Sequence, residues 1–207
     1  MIDFTLYLVT DRKLTGSRTL EEIVEEACAA GVRAVQLRER DLDARELFDL
    51  ARRIHTITAK HEAFLFINDR IDVALAVGVE GVHLRETSLP VAEARKITGP
   101  DMLLGTSIHS PESAVTAYRQ GADFLVYGTI FDTHSKPDLQ ETAGVQSIVR
   151  VTQNIPIPVF AIGGITPDRT RMCIEAGAHG VAVISAIMQS DDVARTVNQF
   201  KEQLVIL

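Results

Sequence analysis

Four groups of polar residues in this chain have the types and spacing for anion and proton chemistry. In "QLRER", side chains alternate along an extended strand, so Gln36, Arg38 and Arg40 share one face. Two guanidiniums and an amide converging on one point suit a phosphate or a carboxylate. The plainer alternative is a surface strand whose arginines pair with Glu39 and Asp41. In "AIGGITPDR", Gly163 and Gly164 allow close backbone approach to a ligand. Thr166 as N-cap and Pro167 at the first position then open a helix, whose N-terminus attracts anions. "VISAI" adds Ser185 nearby.

"FLVYGTIFDTHSKPD" opens as a buried strand and turns within a few residues into Thr133, His134, Ser135 and Lys136, unlike an ordinary Gly- and Asn-rich turn. Two hydroxyls, an imidazole and an ammonium group at the end of a core strand leave two readings open: a loop with chemistry to do, or a solvated loop whose Lys136 points to water. "INDRIDVALA" ends a strand in Asn68 and Asp69 and starts a helix. Asp69 has three readings: a magnesium ligand, a general base or a helix cap. His83 and His109 are acid-base groups or ligands on one reading and satisfied structural residues on the other.

These groups need a frame that brings them together. The joins "AAGVRAVQL", "AVGVEGVHL", "RQGADFLVY" and "EAGAHGVAV" each read as a helix end, a glycine and then a strand. They recur at roughly 43- to 56-residue intervals, about two strand-helix units apiece. Eight units follow, with strands near 4–9, 33–38, 63–67, 80–84, 102–107, 122–128, 157–162 and 180–185. Amphipathic stretches such as "ARELFDLARRIHTITAK" run between them. Strands alternating with helices predict a parallel sheet closed into a (β/α)8 TIM barrel over residues 1–207, rather than an open doubly wound sheet, since no GxGxxG follows the first strand. In such a barrel the working face is the C-terminal end of the strands. Every group above falls there, together with Arg85, Ser107 and Thr129.

Composition bounds the partners. The chain has 207 residues, 46% of them hydrophobic, enough for a large core. A formal charge of −7 speaks against nucleic acid or an anionic membrane surface, but leaves room for a small anionic ligand held by a local cluster. Cys28 and Cys173 lie in helical stretches without metal-ligand spacing. The start "MIDFTLYLVTD" has no basic leader region and no apolar run is long enough to span a bilayer, which predicts a cytoplasmic setting.

Taken in order, "LYLVTD", "VQLRER", "FINDRIDVALAVGVEGVHL", "GTSIHS", "YGTIFDTHSK", "PVFAIGGI" and "GVAVISAI" resemble the thiamine phosphate synthase and thiazole tautomerase (TenI-like) family nearly end to end. The resemblance implies a (β/α)8 barrel, often a homodimer, that binds a phosphorylated thiazole at Gly163, Gly164, Ser185 and Ala186. In the synthase pattern Gln36, Arg38, Asn68, Ser107, Thr133, Ser135 and Lys136 cradle a pyrimidine pyrophosphate. Two carboxylates there hold Mg²⁺; one matches Asp69, but the other falls at Ser88, and Arg85 replaces a glycine beside it. The tautomerase pattern needs no metal or other cofactor, and its "RER" matches Arg38 and Arg40, although Thr129 stands where that pattern carries a histidine. On this resemblance the leading expectation is a metal-free tautomerase with His134 or His109 moving the proton, Arg38 and Arg40 in the catalytic set, and Arg85, Thr129 and Asp69 among the binding residues. The synthase is the alternative, with Mg²⁺ as its cofactor; a non-catalytic binder of phosphate ligands is a third.

Overall fold

The computed structural model describes residues 2–133 and 142–205. Eight strands, β1 Leu6–Val9, β2 Ala34–Leu37, β3 Phe64–Asn68, β4 Gly81–Leu84, β5 Leu103–Ile108, β6 Phe124–Tyr127, β7 Val159–Ile162 and β8 Gly180–Val183, pair in sequence order. All the pairings are parallel, and β1 closes the ring by pairing with both β2 (Tyr7 opposite Ala34) and β8 (Leu6 opposite Val181). Closure excludes the open doubly wound sheet. The helices among the described residues are α1 Leu20–Ala29, α2 Ala44–Lys60, α3 Ile71–Val77, α4 Val91–Thr98, α5 Pro111–Arg119, α6 Gln146–Thr152, α7 Pro167–Glu175, α8 Ser185–Met188 and α9 Val193–Leu204.

Local chemistry sets the element ends. Thr19 with Glu22 and Asp43 with Glu46 form capping boxes that satisfy the orphan N–H groups opening α1 and α2. Gly31, Gly78, Gly121 and Gly177 all take positive φ where the sequence expects the helices to stop. The first strand begins two residues later than expected. Phe4 nevertheless stays buried, because its ring closes the lower end of the barrel against Phe160 at 5.1 Å.

Strand alternation divides the residues into two layers. Leu8, Val35, Leu37, Leu65, Ile67, Val82 and Val181 face the helices and join the larger core. Tyr7, Phe66, Phe124 and Phe160 point inward with Phe4 and fill the barrel, their ring centroids 5.1–6.1 Å apart where they touch. Such edge-to-face and tilted pairs add to simple area burial. The plug needs room on the neighbouring strands. A Cβ on Gly105 would sit 2.3 Å from the Phe124 ring, so only glycine fits there. The floor is therefore a solid aromatic layer, and polar groups are confined to the mouth above it.

Candidate active site

The mouth holds three connected spaces. A central cavity of about 230 Å³ lies over the aromatic plug, lined by Gln36, Arg38, Arg40, Asn68, His83, Arg85, Glu86, Ser107 and His109, with Val126, Ile162 and Ile184 as apolar walls. A notch of about 70 Å³ sits between the ends of β7 and β8, lined by Thr129, Thr133, Gly163, Gly164, Ser185 and Ala186. A more open space of about 620 Å³ joins them, and Arg38 and Arg40 line it as well. The sequence-predicted residues line these spaces except for Asp69, which sits behind Asn68 and Arg85 and bonds to both, and three more. His134, Ser135 and Lys136 lie outside the described residues.

The arginines of β2 are placed by a neighbour that sequence reasoning missed. Glu39, the residue between them, is buried and turns the other way. It accepts from Thr10 Oγ1 at 2.6 Å and from the Arg12 backbone and guanidinium at 3.1–3.2 Å. Thr10 Oγ1 in turn accepts from the Arg38 N–H at 3.0 Å, which fixes the end of β2. Asp41 is bound by Arg12 and Lys13. The surface-strand alternative is therefore not what the chain builds: both acids it required belong to other cations. Arg38 and Arg40 make no ion pair among the described residues. Burial lowers the pKa of Arg38, and Arg40 beside it lowers it further, against the pull of Asp11 and Glu39. A half-buried cation next to a second cation is the surrounding an anionic ligand relieves.

Across the plug a polar chain links four strands. Gln36 Nε2 donates to Tyr7 Oη at 3.3 Å, Tyr7 Oη meets His83 Nδ1 at 3.4 Å, and His83 Nε2 meets Ser107 Oγ at 2.9 Å. Burial drives the His83 pKa down to about 3, outweighing the attraction of Asp69, so the imidazole is neutral. Burial also pushes the Tyr7 hydroxyl well above its ordinary range, so it keeps its proton. With Gln36 donating to Tyr7, the Tyr7 proton turns to Nδ1 and His83 donates from Nε2 to Ser107. Ser107 keeps its own hydroxyl proton for the cavity. Of the two sequence readings of His83, the structural one is what the fold uses.

Asp69 is not a helix cap. Arg70 holds that position before α3, with no side-chain cap bond, while Asp69 takes a left-handed φ of 60°. Its carboxylate instead accepts from Ser88 Oγ, Arg85 Nε, the Arg85 backbone N–H at 3.3 Å and Asn68 Nδ2 at 3.1 Å. Burial alone raises its pKa, but the bonds from Ser88 and Arg85 outweigh burial and hold the group ionised. Glu86 pairs with His109 Nδ1 at 2.6 Å.

These donors do not suit Mg²⁺. The ion asks for one or two carboxylates plus waters and phosphate oxygens in near-octahedral array. The acceptor positions of Asp69 are filled by its own neighbours, and the adjacent Ser88 is neutral. Among the described residues no group of three His, Cys, Asp or Glu side chains could hold a metal ion.

Backbone geometry builds the notch. Gly163 and Gly164 take φ of 103° and 61°, and a Cβ on Gly163 would lie 2.4 Å from Thr129 Cγ2. Glycine is required twice over, by conformation and by contact. The first N–H groups of α8, on Ser185 and Ala186, have no acceptor within the helix and open onto the notch. Arg169, which was not expected, locks the turn: Nη1 donates to the Gly164 carbonyl at 2.7 Å while the guanidinium lies 4.9 Å over the Phe131 ring. Its place in "TPDR" at the start of α7 was the available signal. Thr166 is the N-cap residue, but its hydroxyl donates to Asp168 and caps no backbone group.

The profile of the thiamine monophosphate synthase family matches residues 6–187. A protein named putative thiamine-phosphate synthase from Geobacter sulfurreducens is 48% identical over 92% of this chain and 90% of its own length. The thiamine-phosphate synthase of Ruminiclostridium cellulolyticum is 42% identical over 99% of this chain and 97% of its own. The solved thiamine phosphate pyrophosphorylase of Pyrococcus furiosus superposes with a TM-score of 0.88 at 34% identity, covering 97% of this chain and 95% of that one. The chain, a closed parallel barrel with arginines and a double-glycine turn at one mouth, matched along nearly its whole length, is a member of the thiamine monophosphate synthase family.

Proposed function

We propose that the chain joins a pyrimidine methyl pyrophosphate to a thiazole phosphate, giving thiamine phosphate and free pyrophosphate. The observation that carries this reading is the presence of two spaces at one mouth, a glycine-walled notch and an arginine-lined cavity, in a chain whose relatives bear the synthase name. The metal-free tautomerase was the leading expectation from sequence; the relatives' names favour the synthase. In the coupling, the bond between the pyrimidine methylene and the pyrophosphate oxygen breaks and the electron pair leaves with pyrophosphate. The lone pair of the thiazole nitrogen then closes the new C–N bond.

Each group of residues has a part in that step. The Gly163–Gly164 turn with the Ser185 and Ala186 N–H groups receives the thiazole phosphate. Arg38, Arg40 and Arg85 take the charge growing on the leaving pyrophosphate, as donors already in place before the bond breaks. Gln36, Asn68, Ser107, Thr129 and Thr133 orient the two rings, and Val126, Ile162 and Ile184 pack against them. Lys136, beyond the described residues, adds a cation to the anion set, so Lys136→Ala raises the Kd for pyrophosphate. The test is incubation with both substrates, followed by fluorescence detection of thiamine phosphate after oxidation. Product that depends on both substrates supports coupling; its absence, with saturable binding retained, refutes it and favours a non-catalytic binder.

One observation favours the tautomerase as a second reading. Glu86 and His109 form a carboxylate–imidazole pair at the mouth, suited to moving a proton, and the filled Asp69 carboxylate is no hindrance to a reaction that uses no metal. Aromatisation of a carboxylated thiazole phosphate, lost in His109→Ala or His134→Ala, distinguishes it.

A further inference from the structure

The misfit between Asp69 and a divalent ion has a positive counterpart. A carboxylate offers about four lone-pair sites, and Asp69 uses them on Ser88 Oγ and the Arg85 N–H at Oδ1, and on Arg85 Nε and Asn68 Nδ2 at Oδ2. A metal would have to displace at least one of these neighbours. The second carboxylate of the cavity, Glu86, is held by His109. Arg85 is therefore anchored from one side, by its Nε and its own N–H. Its terminal guanidinium nitrogens make no hydrogen bond or ion pair among the described residues, and the side chain lines the cavity that Arg38 and Arg40 also line.

We propose that Arg85 is the resident cation of this pocket, docked on Asp69 and Ser88, and that the pocket binds a pyrophosphate-class anion without a divalent metal. A planar guanidinium anchored at Nε still presents two outward N–H groups in a fork that fits adjacent phosphate oxygens. The charge neutralisation that a metal gives by coordination is supplied here by three guanidiniums, one of them pre-positioned by a carboxylate. The choice of anion rests on the coupling reading above; the role of Arg85 does not.

The test is calorimetric titration of the full chain with inorganic pyrophosphate, in EDTA and in Mg²⁺, beside EPR of free Mn²⁺ as a direct count of bound metal. The wild-type protein binds pyrophosphate in EDTA, and Arg85→Gln weakens that binding about tenfold or more, the scale of one lost charge-assisted hydrogen bond. The double variant Arg85→Gly with Ser88→Asp binds weakly in EDTA, recovers when Mn²⁺ is added, and takes up Mn²⁺ where the wild type does not. If the double variant fails to fold, by circular dichroism, Arg85→Gln alone decides. The proposal is overturned if wild-type binding needs the metal, if Arg85→Gln leaves the affinity unchanged, or if pyrophosphate does not bind in either buffer. Failure of the coupling reading looks different: pyrophosphate binds in EDTA through Arg85, yet no thiamine phosphate forms under any condition.

Discussion

The buried imidazole of His83 makes the barrel sensitive to mild acid. In the unfolded chain this histidine titrates near its ordinary value of 6.5, whereas in the fold burial lowers the pKa to about 3. Below pH 6.5 the unfolded chain takes up a proton that the folded one refuses, so stability rises with pH in this window and is lost as pH falls from 6.5 towards 3. Between pH 7 and pH 5 the loss is about 2 kcal/mol, from roughly 1.4 kcal/mol per pH unit over the interval below 6.5. The perturbation is His83→Gln, which removes the titrating group and leaves Asp69, Arg38 and the plug in place. Urea denaturation at a series of pH values reads the result. The wild-type curve should fall more steeply on acidification than the variant's, the two converging by about 2 kcal/mol, or roughly 4–8 °C in Tm for a chain of this size. Parallel curves would mean that His83 takes up its proton in the fold as readily as in the unfolded chain, and would undo the donor order from Tyr7 through His83 to Ser107.

Two further outcomes follow from the mouth. Gly163→Ala places a methyl group 2.4 Å from Thr129 Cγ2 at a φ of 103°, and should cost about 1–3 kcal/mol while weakening inorganic phosphate binding, read by thermal unfolding and titration. Arg38→Met should weaken pyrophosphate binding about tenfold or more with no loss of Tm, because a half-buried guanidinium without an ion-pair partner favours the liganded state more than the empty one; a fall in both would make Arg38 structural.

The barrel was legible because its signals are local and repeated. Gly31, Gly78, Gly121 and Gly177 mark helix ends, and alternation along "QLRER" or "FLVY" separates the inner face from the outer. Membership of the mouth was legible for the same reason, since strand ends are known once the strands are. What stayed hidden was pairing at a distance. Glu39 and Asp41 were the partners that the surface-strand alternative required for Arg38 and Arg40, but Arg12, far back in the chain, binds both. A cap was the commonest of the three roles open to Asp69; its partners, Arg85 and Ser88, arrive from the loop that follows the next strand. His83 had two open readings, and the residues that bear on them, the buried Tyr7 hydroxyl and Ser107, lie on other strands. Such contacts depend on register between strands, which no window of sequence contains.

The central claim is that one mouth holds two anions in separate places, and a crystal structure of the full chain with thiamine phosphate and inorganic pyrophosphate tests it most directly. The account predicts the phosphate of thiamine phosphate against the Gly164 and Ser185 N–H groups, with pyrophosphate between Arg38, Arg40 and Arg85. Pyrophosphate bound away from Arg85, or a thiamine phosphate lodged outside the Gly163–Gly164 notch, would contradict it.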